Sequence, residues 1–280
     1  MVHTPSPMID IRQSKNYANY LSSLGWKVER IKGINYFIKK IPLIGYVLKL
    51  QRPEKLHINS INQLINKYRP FQTIVEPKNQ NDAISCMQYG FKLSKSPYLP
   101  TKTLYLNLTQ PLKFDKETRR CIRIGEKTTA KECSTPTQIK LFREAWKKSV
   151  KFTRFVPSVE QLTNLRKSFP HNNSIFLASH NGSSGAIFLR TKDVGHYWQA
   201  FTSKEGRTSL SQYSLLCQGI LWAKNQGCKV FDFEGIYDPR FPNKSWLGFT
   251  HFKKSFGGHE VEYPGCYIKT NWPNIFPRFR

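Results

Sequence analysis

The chain has 280 residues, of which 39% are hydrophobic and 14% aromatic, so it can bury a sizeable core and is not a disordered protein. Lysine and arginine together number 44 against 18 acidic residues, which gives a formal net charge of +26. A charge of this sign attracts nucleic acid, anionic membrane surfaces and phosphorylated ligands, unless it only reflects a lysine-rich composition.

Simple targeting and metal-binding patterns are absent from the sequence. Residues 1–12 lack a basic segment followed by an apolar one, which predicts no signal peptide. The most apolar run, 41–50, is interrupted and too short to span a bilayer. The six cysteines form no CxxC pair and the seven histidines no HxxxH spacing, so we predict reduced thiols, a cytoplasmic protein and no metal site.

The first part of the chain alternates predicted helices with predicted strands. Apolar spacing predicts helices at 13–24, 59–68 and 82–89. Runs rich in β-branched and aromatic residues predict strands at 26–30, 34–40, 46–50, 71–76 and 103–108. This order favours a mixed α/β sheet with helices packed on it.

The second part repeats that order. A capping box, Thr135-x-x-Gln138, opens a predicted helix at 136–150. Further helices are predicted at 158–168 and 208–225, and further strands at 174–179, 185–190, 196–201 and 229–233. We therefore predict the α/β (α+β) class, with two copies of one α/β unit and a boundary near residue 110.

The stretch 230–265 combines a strand, an acidic turn, a helix and a double glycine. The helix is predicted at 244–256 and ends at Gly257-Gly258, where a left-handed cap is expected. At about 100° per residue, one sector about 60° wide holds Phe249, Phe252 and Phe256.

Two neighbouring lysines of this predicted helix should differ. Lys253 lies at the border of the apolar face, between Phe249 and Trp246, whereas Lys254 points to the polar side. Lys254 is predicted to be solvated. Lys253 is either a semi-buried ammonium at a site or a lysine that snorkels at the edge of the core.

Charged residues suggest further candidates. The carboxylates of Asp232, Glu234 and Asp238 cluster near this helix, where they orient Lys253, position the incoming amine, or simply form a turn. The densest basic segment contains Arg119, Arg120, Arg123 and Lys127, which is either a patch for nucleic-acid phosphates or a solvated face. The loop 203–208 before a helix could bind an anion through backbone amides, or only connect two elements.

Two segments, NQGCKVFDFEGI at 225–236 and GFTHFKKSFGGHEVEYPGCY at 248–267, resemble the FemABX family of peptidoglycan-bridge aminoacyltransferases. The preceding Trp222-Ala223-Lys224 also fits the pattern of that family. The resemblance is strong at 195–268 and weak at 1–100.

The resemblance implies two GNAT-like acyltransferase domains, each a mixed sheet flanked by helices. The first would comprise 1–109, completed by 267–280, and the second 110–266. It implies transfer of an amino acid from aminoacyl-tRNA to the amine of a peptidoglycan-precursor stem peptide, without a cofactor. The family's catalytic Phe-Lys pair corresponds to Phe252 and Lys253.

The chain departs from the family at positions that hold substrate. The phosphate-holding positions correspond to Leu21 and Val156, and a substrate-contacting tyrosine corresponds to Ala200. The phosphate grip is therefore either missing or remade by Lys27, Arg30 or Arg154. The other substrate-binding residues expected here are Trp246, Tyr197, Trp198, Glu234 and Asp238. The tRNA-binding residues expected here are Arg119, Arg120, Arg123 and Lys127.

The expected partners are aminoacyl-tRNA and a lipid-linked or nucleotide-linked precursor, bound by a monomer that can contact a membrane peripherally. Two other functions compete with this one. The first is a GNAT-type acyl-coenzyme A N-acyltransferase, for which the loop 203–208 would hold the cofactor. The second is a non-catalytic RNA-binding module.

Overall fold

The computed structural model describes residues 8–128, 130–150, 154–170 and 172–271. They divide into two compact units. Unit 1 runs to Thr101 and includes Asp238–Phe241 and the chain from Glu262 onward. Unit 2 comprises Lys102–Tyr237 and Pro242–Val261. We expected the first domain to reach residue 109 and to be completed by 267–280, of which 272–280 lies outside the described residues.

Unit 1 begins with a short 3-10 helix, Ile11–Gln13. The helices of unit 1 are α1 (Lys15–Ser23), α2 (Ile58–Tyr68) and α3 (Gln80–Gln88). Its first five strands are β1 (Lys27–Ile31), β2 (Ile34–Ile41), β3 (Gly45–Gln51), β4 (Gln72–Glu76) and β5 (Lys92–Leu93).

The helices and strands of unit 2 follow. Its helices are α4 (Lys116–Gly125), α5 (Pro136–Ser149), α6 (Val159–Ser168), α7 (Lys204–Thr208), α8 (Ser211–Asn225) and α9 (Leu247–Lys254), the last preceded by a 3-10 turn, Lys244–Trp246. Its strands are β6 (Lys102–Asn107), β7 (Ala130–Glu132), β8 (Ser174–Ser179), β9 (Ser184–Arg190), β10 (Val194–Thr202), β11 (Val230–Asp232) and β12 (His259–Glu262).

The sheet of unit 1 has six strands in the order β1-β2-β3-β4-β13-β5, where β13 is Tyr267–Thr270. The pair β3–β4 is parallel, and β13 lies antiparallel between β4 and β5. One face buries apolar side chains of β2, β3, β4, α2 and α3 in a single cluster. On the other face, Tyr17 of α1 packs edge-on against Phe37, with 5.7 Å between ring centroids.

The sheet of unit 2 has seven strands in the order β12-β6-β11-β10-β9-β8-β7. Only a glycine allows α8 to approach this sheet, because a Cβ at Gly219 would lie 2.1 Å from the ring of Phe188 on β9. The pair β10–β11 is parallel and β10 is bulged at Trp198, between Tyr197 and Gln199. The parallel pair is what brings the residues of the candidate site together.

The predicted fold class is confirmed, since both sheets are mixed and flanked by helices. The predicted capping box is present, with Thr135 and Gln138 bonding each other's backbone N–H. The helix predicted at 208–225 is present as α8 but begins later, at Ser211, because Leu210, whose φ is 54°, separates it from the short α7. The short β5 and β7 were not predicted, since two or three residues carry no periodicity.

Two expectations concern the cysteines and the membrane. All six cysteines are free, and five of them are buried. None of the described helices has the length and apolar character that would let it cross a membrane.

Candidate active site

The loop that follows β11 is held by one buried carboxylate. Asp232, at the end of β11, is 1% exposed and lies in register with His196 on the parallel strand β10. Its Oδ1 accepts hydrogen bonds from Thr103 Oγ1 at 2.5 Å and from the Glu234 backbone N–H at 2.8 Å. Thr103 Oγ1 in turn accepts one from the Gly235 N–H at 3.2 Å. These bonds hold Glu234 in the left-handed region, at a φ of 54°.

Two carbonyl groups of this loop hold the ammonium of Lys253. Lys253 lies on α9 and is 7% exposed. Its Nζ donates to Gly235 O at 2.6 Å and to Glu234 O at 3.3 Å. The ammonium also lies 5.6 Å from the ring centroid of Tyr197 and 5.1 Å from that of Phe249. The cation is thus fixed by dipoles and aromatic rings rather than by a hydrogen-bonded carboxylate.

Burial lowers the pKa of Lys253 to about 8, and the negative charges of Glu234 and Asp232 oppose that shift. The group is therefore still mainly protonated at neutral pH. An ammonium that is removed from water and lacks a directly bonded carboxylate destabilises the fold, because desolvation of its charge is only partly offset.

The desolvation of the Lys253 ammonium predicts that the stability of the fold depends on pH. The unfolded chain keeps the Lys253 proton up to its ordinary pKa of 10.5, whereas the folded protein releases it near 8. The free energy of unfolding of the wild type should therefore rise with pH across that interval, relative to Lys253→Met, by on the order of 3 kcal/mol. Urea denaturation of both proteins below, within and above the interval measures this difference. Parallel pH curves for the two proteins would contradict the burial of this cation.

The neighbouring Lys254 has a different environment. Its side chain is 50% exposed and its Nζ lies 2.6 Å from Glu260, which also pairs with Lys102 at 2.6 Å. The difference in burial that helical periodicity predicted for Lys253 and Lys254 is confirmed. The role of Lys253 in catalysis stays a prediction.

A buried histidine joins the two carboxylates of the loop. His196 is 2% exposed, and its Nδ1 lies 3.0 Å from Glu234 Oε1 and 3.7 Å from Asp232 Oδ2. Its Nε2 is buried and has no hydrogen-bond partner in the described part of the chain. Burial, and then the charge of Glu234, raise the pKa of Asp232.

The sequence did not reveal the place of His196 in this group, since its members come from two strands. One donor atom from each of the three residues lies within 4.8 Å of the others, close enough to hold a metal ion. We predicted no metal site from histidine spacing, and this geometry shows why spacing is a poor guide here. Without a metal ion, His196 Nδ1 lies within hydrogen-bonding distance of Glu234 Oε1, and Asp232 Oδ1 lies within hydrogen-bonding distance of Thr103 Oγ1.

The other aromatic residues predicted for the site are half-buried. Phe252 is half-buried and packs edge-on against Tyr213, at 4.8 Å between ring centroids. Trp246 is half-buried and lies 5.2 Å from the ring of Phe249, which is 36% exposed. Trp198, at the bulge of β10, is half-buried.

Tyr197, next to that bulge, stacks on Phe188 at 5.6 Å, and its hydroxyl accepts a hydrogen bond from Gln212 Nε2 at 2.7 Å. Burial raises its pKa. The contact between the Tyr197 ring and the Lys253 ammonium brings two of the predicted site residues together. Glu234 is a third predicted site residue in this group, since its backbone carbonyl accepts a hydrogen bond from the same ammonium.

Asp238 lies in a different environment from Asp232 and Glu234. It belongs to unit 1, is 4% exposed, accepts from Thr101 Oγ1 at 2.6 Å and pairs with Arg240 at 2.7 Å. Arg240 also donates to the carbonyls of Thr101 and Tyr263. These contacts match the turn-forming alternative that the sequence left open.

The two cations of β1 that could replace the phosphate grip do not converge. Lys27 is exposed and lies 3.7 Å from Glu29, and Arg30 is exposed and donates to Asn35 Oδ1 at 2.9 Å. These two residues are three apart on β1, so they point to opposite faces of the strand and do not converge. Arg154 is exposed in the segment between α5 and α6.

The basic segment 116–127 forms α4 and its end. Arg119, Arg120 and Arg123 are exposed and share one face about 100° wide, opposite the buried Cys121. Lys127, just past the helix, is also exposed. Arg120 pairs with Glu117 at 2.8 Å. Within the described residues neither Arg119 nor Arg123 forms a salt bridge with a carboxylate, although the charge of Arg119 helps to lower the pKa of Asp115.

The loop 203–208, for which the sequence left open anion binding or a plain connection, contains a short helix. Residues 204–208 form α7, and the Gly206 N–H donates to the side chain of Ser203 at 3.1 Å. Close packing also surrounds Gly206, since a Cβ there would lie 2.6 Å from the carbonyl of Ser183. A phosphate at this turn would have to compete with contacts that the protein makes itself.

The sequence matches no protein-family model and no curated protein. Its fold, however, is similar to that of several solved structures. FemX superposes with a TM-score of 0.75 and 15% identity, over 95% of this chain and 93% of that chain. The C-terminal domain of a putative lysylphosphatidylglycerol synthetase from Agrobacterium fabrum gives 0.61 and 13%, over 92% and 88%.

A tandem GNAT protein from the clavulanic acid biosynthesis pathway gives a TM-score of 0.52 and 8% identity, over 87% of this chain and 82% of that chain. At these identities the likeness concerns the fold alone. It agrees with what the motif of residues 225–267 implied. The chain therefore has the tandem GNAT-like fold that FemX also has.

Proposed function

We propose that the protein is an acyltransferase that moves an amino acid from aminoacyl-tRNA to the amine of a peptidoglycan-precursor stem peptide. The observation that carries this proposal is the buried ammonium of Lys253, fixed by the carbonyls of Glu234 and Gly235. The fold shared with FemX and the motif around Phe252 and Lys253 support it.

The reaction needs no metal or coenzyme to activate the acyl group, because the aminoacyl ester is already activated. The acceptor amine attacks the ester carbonyl, a C–N bond forms, and negative charge develops on the carbonyl oxygen. The C–O bond to the terminal ribose then breaks, and the proton released by the amine ends on the ribose oxygen. An ammonium held near the carbonyl oxygen stabilises the transition state more than the ground state.

Lys253 has the properties that this role requires. Two of its N–H groups are directed to carbonyls at 2.6 and 3.3 Å, which leaves one for the developing oxyanion. Because the cation is already desolvated and fixed, little reorganisation is needed during the reaction. The carboxylates of Asp232 and Glu234 beside it would attract a protonated acceptor amine. Phe252, Trp246, Tyr197 and Trp198 would pack against the substrates.

The basic face of α4 is proposed to contact the tRNA backbone. The double variant Arg119→Ala/Arg123→Ala should weaken tRNA binding and reduce the slope of log K against log salt by about 2, because two phosphate contacts are lost. Fluorescence anisotropy at several salt concentrations measures both quantities. The control is Lys147→Ala/Lys148→Ala, which removes two exposed lysines from the last turn of α5. An equal loss in the control would show that only the net charge matters.

A transfer assay tests the proposed function as a whole. The wild-type protein is incubated with radiolabelled aminoacyl-tRNA pools and with lipid-linked or nucleotide-linked precursor, and the label is followed into the precursor. Transfer from at least one pool is expected, and its absence from every pool would reject the proposal.

The tandem GNAT-like fold also favours a second candidate, an acyl-coenzyme A N-acyltransferase. Calorimetric titration with acyl-coenzyme A separates the two functions. Saturable binding together with acylation of an amine would favour this alternative, and no binding would remove it. The occupied N-terminus of α7 leads us to expect no binding.

A further inference from the structure

The hairpin between β2 and β3 ends in three consecutive apolar residues that lie in solvent. Pro42 is exposed, Leu43 is fully exposed and Ile44 is 53% exposed. These three residues are called the hairpin tip below. A run of three apolar side chains in contact with water is unfavourable unless something covers them.

The backbone of the hairpin tip is strained at Leu43. The Ile44 N–H donates to Ile41 O at 3.2 Å, so the chain turns through Pro42 and Leu43. The φ of Leu43 is 64°, in the left-handed region that the third residue of a type II turn requires. Glycine and asparagine fit this position, whereas leucine adopts it at a cost in energy. The leucine therefore neither packs in the fold nor favours the turn, and stability does not explain it.

Below the tip, the hairpin is anchored to the sheet of unit 1. Ile41 and Phe71 pack against a small buried cluster of that sheet. The Phe71 N–H also donates to Tyr46 O at 2.9 Å, which joins the start of β3 to the segment before β4. The apolar tip thus projects from a packed base.

Basic residues flank the hairpin tip. Lys39 and Lys40 precede it on β2. Arg69 is exposed near the same end of the sheet, because it comes two residues before Phe71. The stretch 30–53, which contains the whole hairpin, has no aspartate or glutamate. The tip therefore protrudes from a positively charged surface.

We propose that the hairpin tip inserts into the interfacial layer of an anionic lipid bilayer, with the flanking cations against the lipid phosphates. The apolar side chains leave water as they enter this layer. The negative surface potential of anionic lipids attracts the neighbouring basic residues. Three residues reach only the interface and are far too few to span the hydrocarbon core, so the contact is peripheral.

Two other occupants of the tip fit these observations less well. A second copy of the chain would present the same positive charge, and a net charge of +26 opposes the association of two such surfaces. A nucleic acid would be held through its phosphates and would gain little from a leucine. The combination of an apolar tip with cationic flanks favours a lipid surface. This inference does not rest on the proposed transfer reaction.

Cosedimentation with lipid vesicles tests the proposal. The wild type should bind vesicles of phosphatidylcholine mixed with phosphatidylglycerol more tightly than vesicles of phosphatidylcholine alone. Leu43→Asn should weaken binding to the mixed vesicles by roughly tenfold, because the leucine no longer leaves water. The same variant should unfold at an equal or higher temperature, since asparagine tolerates the left-handed backbone better than leucine does. A leucine that served the fold would give the opposite change in unfolding temperature.

Three further variants separate the apolar contribution from the charge. Leu43→Phe keeps an apolar side chain and should bind the mixed vesicles within a few-fold of the wild type. Leu141→Gln is the matched control, because Leu141 is an exposed leucine on α5 of unit 2, and it should bind as the wild type does. Lys40→Gln should weaken binding to the mixed vesicles by roughly fivefold, the contribution of one cation near an anionic surface.

Three results would overturn the proposal. They are a wild type that does not prefer the mixed vesicles, a Leu43→Asn variant that binds them as tightly as the wild type, and a wild-type dimer that Leu43→Asn dissociates. The last result would assign the tip to a second copy of the chain. Because the vesicle assay contains no aminoacyl-tRNA, none of these results would bear on the proposed transfer reaction.

Discussion

The Lys253→Met variant is expected to lose aminoacyl transfer by about 100- to 1000-fold and to remain folded. This is the size of effect that follows the removal of one donor to a developing oxyanion. Methionine preserves the apolar stem that packs near Tyr197 and Phe249, and it also removes a buried charge, so stability should not fall. Initial rates at saturating aminoacyl-tRNA, measured alongside thermal unfolding, check both parts of this expectation.

The adjacent Lys254→Met provides the control, since Lys254 is exposed and paired with Glu260. It lowers the net charge by the same amount and should leave transfer within about twofold, because an exposed ion pair contributes little. If Lys253→Met turned over as fast as Lys254→Met, the role of Lys253 would be rejected while the transferase function itself would stand.

The Asp232→Ala variant is expected to lower the free energy of unfolding by about 2–4 kcal/mol. The substitution leaves the Thr103 hydroxyl and the Glu234 N–H without their acceptor in a buried place, and it opens a small cavity. The loop would then no longer be held in the conformation that directs the carbonyls of Glu234 and Gly235 at Lys253. Urea denaturation measures the loss of stability, and transfer should fall with it.

The Asp232→Asn variant tests whether the hydrogen bonds that Asp232 accepts or its negative charge hold the loop. The amide oxygen can still accept from Thr103 and from the Glu234 N–H, while the buried negative charge is gone. We expect its stability to stay within about 1 kcal/mol of the wild type, because the desolvation penalty of the carboxylate disappears with its charge. A loss as large as that of Asp232→Ala would mean that the charge, rather than the hydrogen bonds, holds the loop.

The sequence correctly predicted side-chain burial where it depends on the geometry of a single helix. The periodicity of α9 was enough to distinguish Lys253 from Lys254, since the angular positions of neighbouring residues follow from the helix alone. The same rule, applied to the strand predicted at 26–30, would have separated Lys27 from Arg30.

The sequence could not show what depends on pairing between distant segments. His196 meets Asp232 only because β10 and β11 are parallel neighbours in one particular register. A shift of that register by one residue would turn every side chain of one strand to the other face. Asp238 illustrates the converse, because it is only four residues from Glu234 and yet bonds to Thr101 and Arg240 in unit 1.

The late position of β13 in the chain affects the order in which the protein can fold during synthesis. The six-stranded sheet needs Tyr267–Thr270 between β4 and β5, and all of unit 2 is translated before those residues emerge. Until then, β4 presents an unpaired edge of the kind that invites pairing with other chains. Unit 2 can therefore complete its sheet on the ribosome first, while unit 1 waits for a strand almost 200 residues downstream of β4.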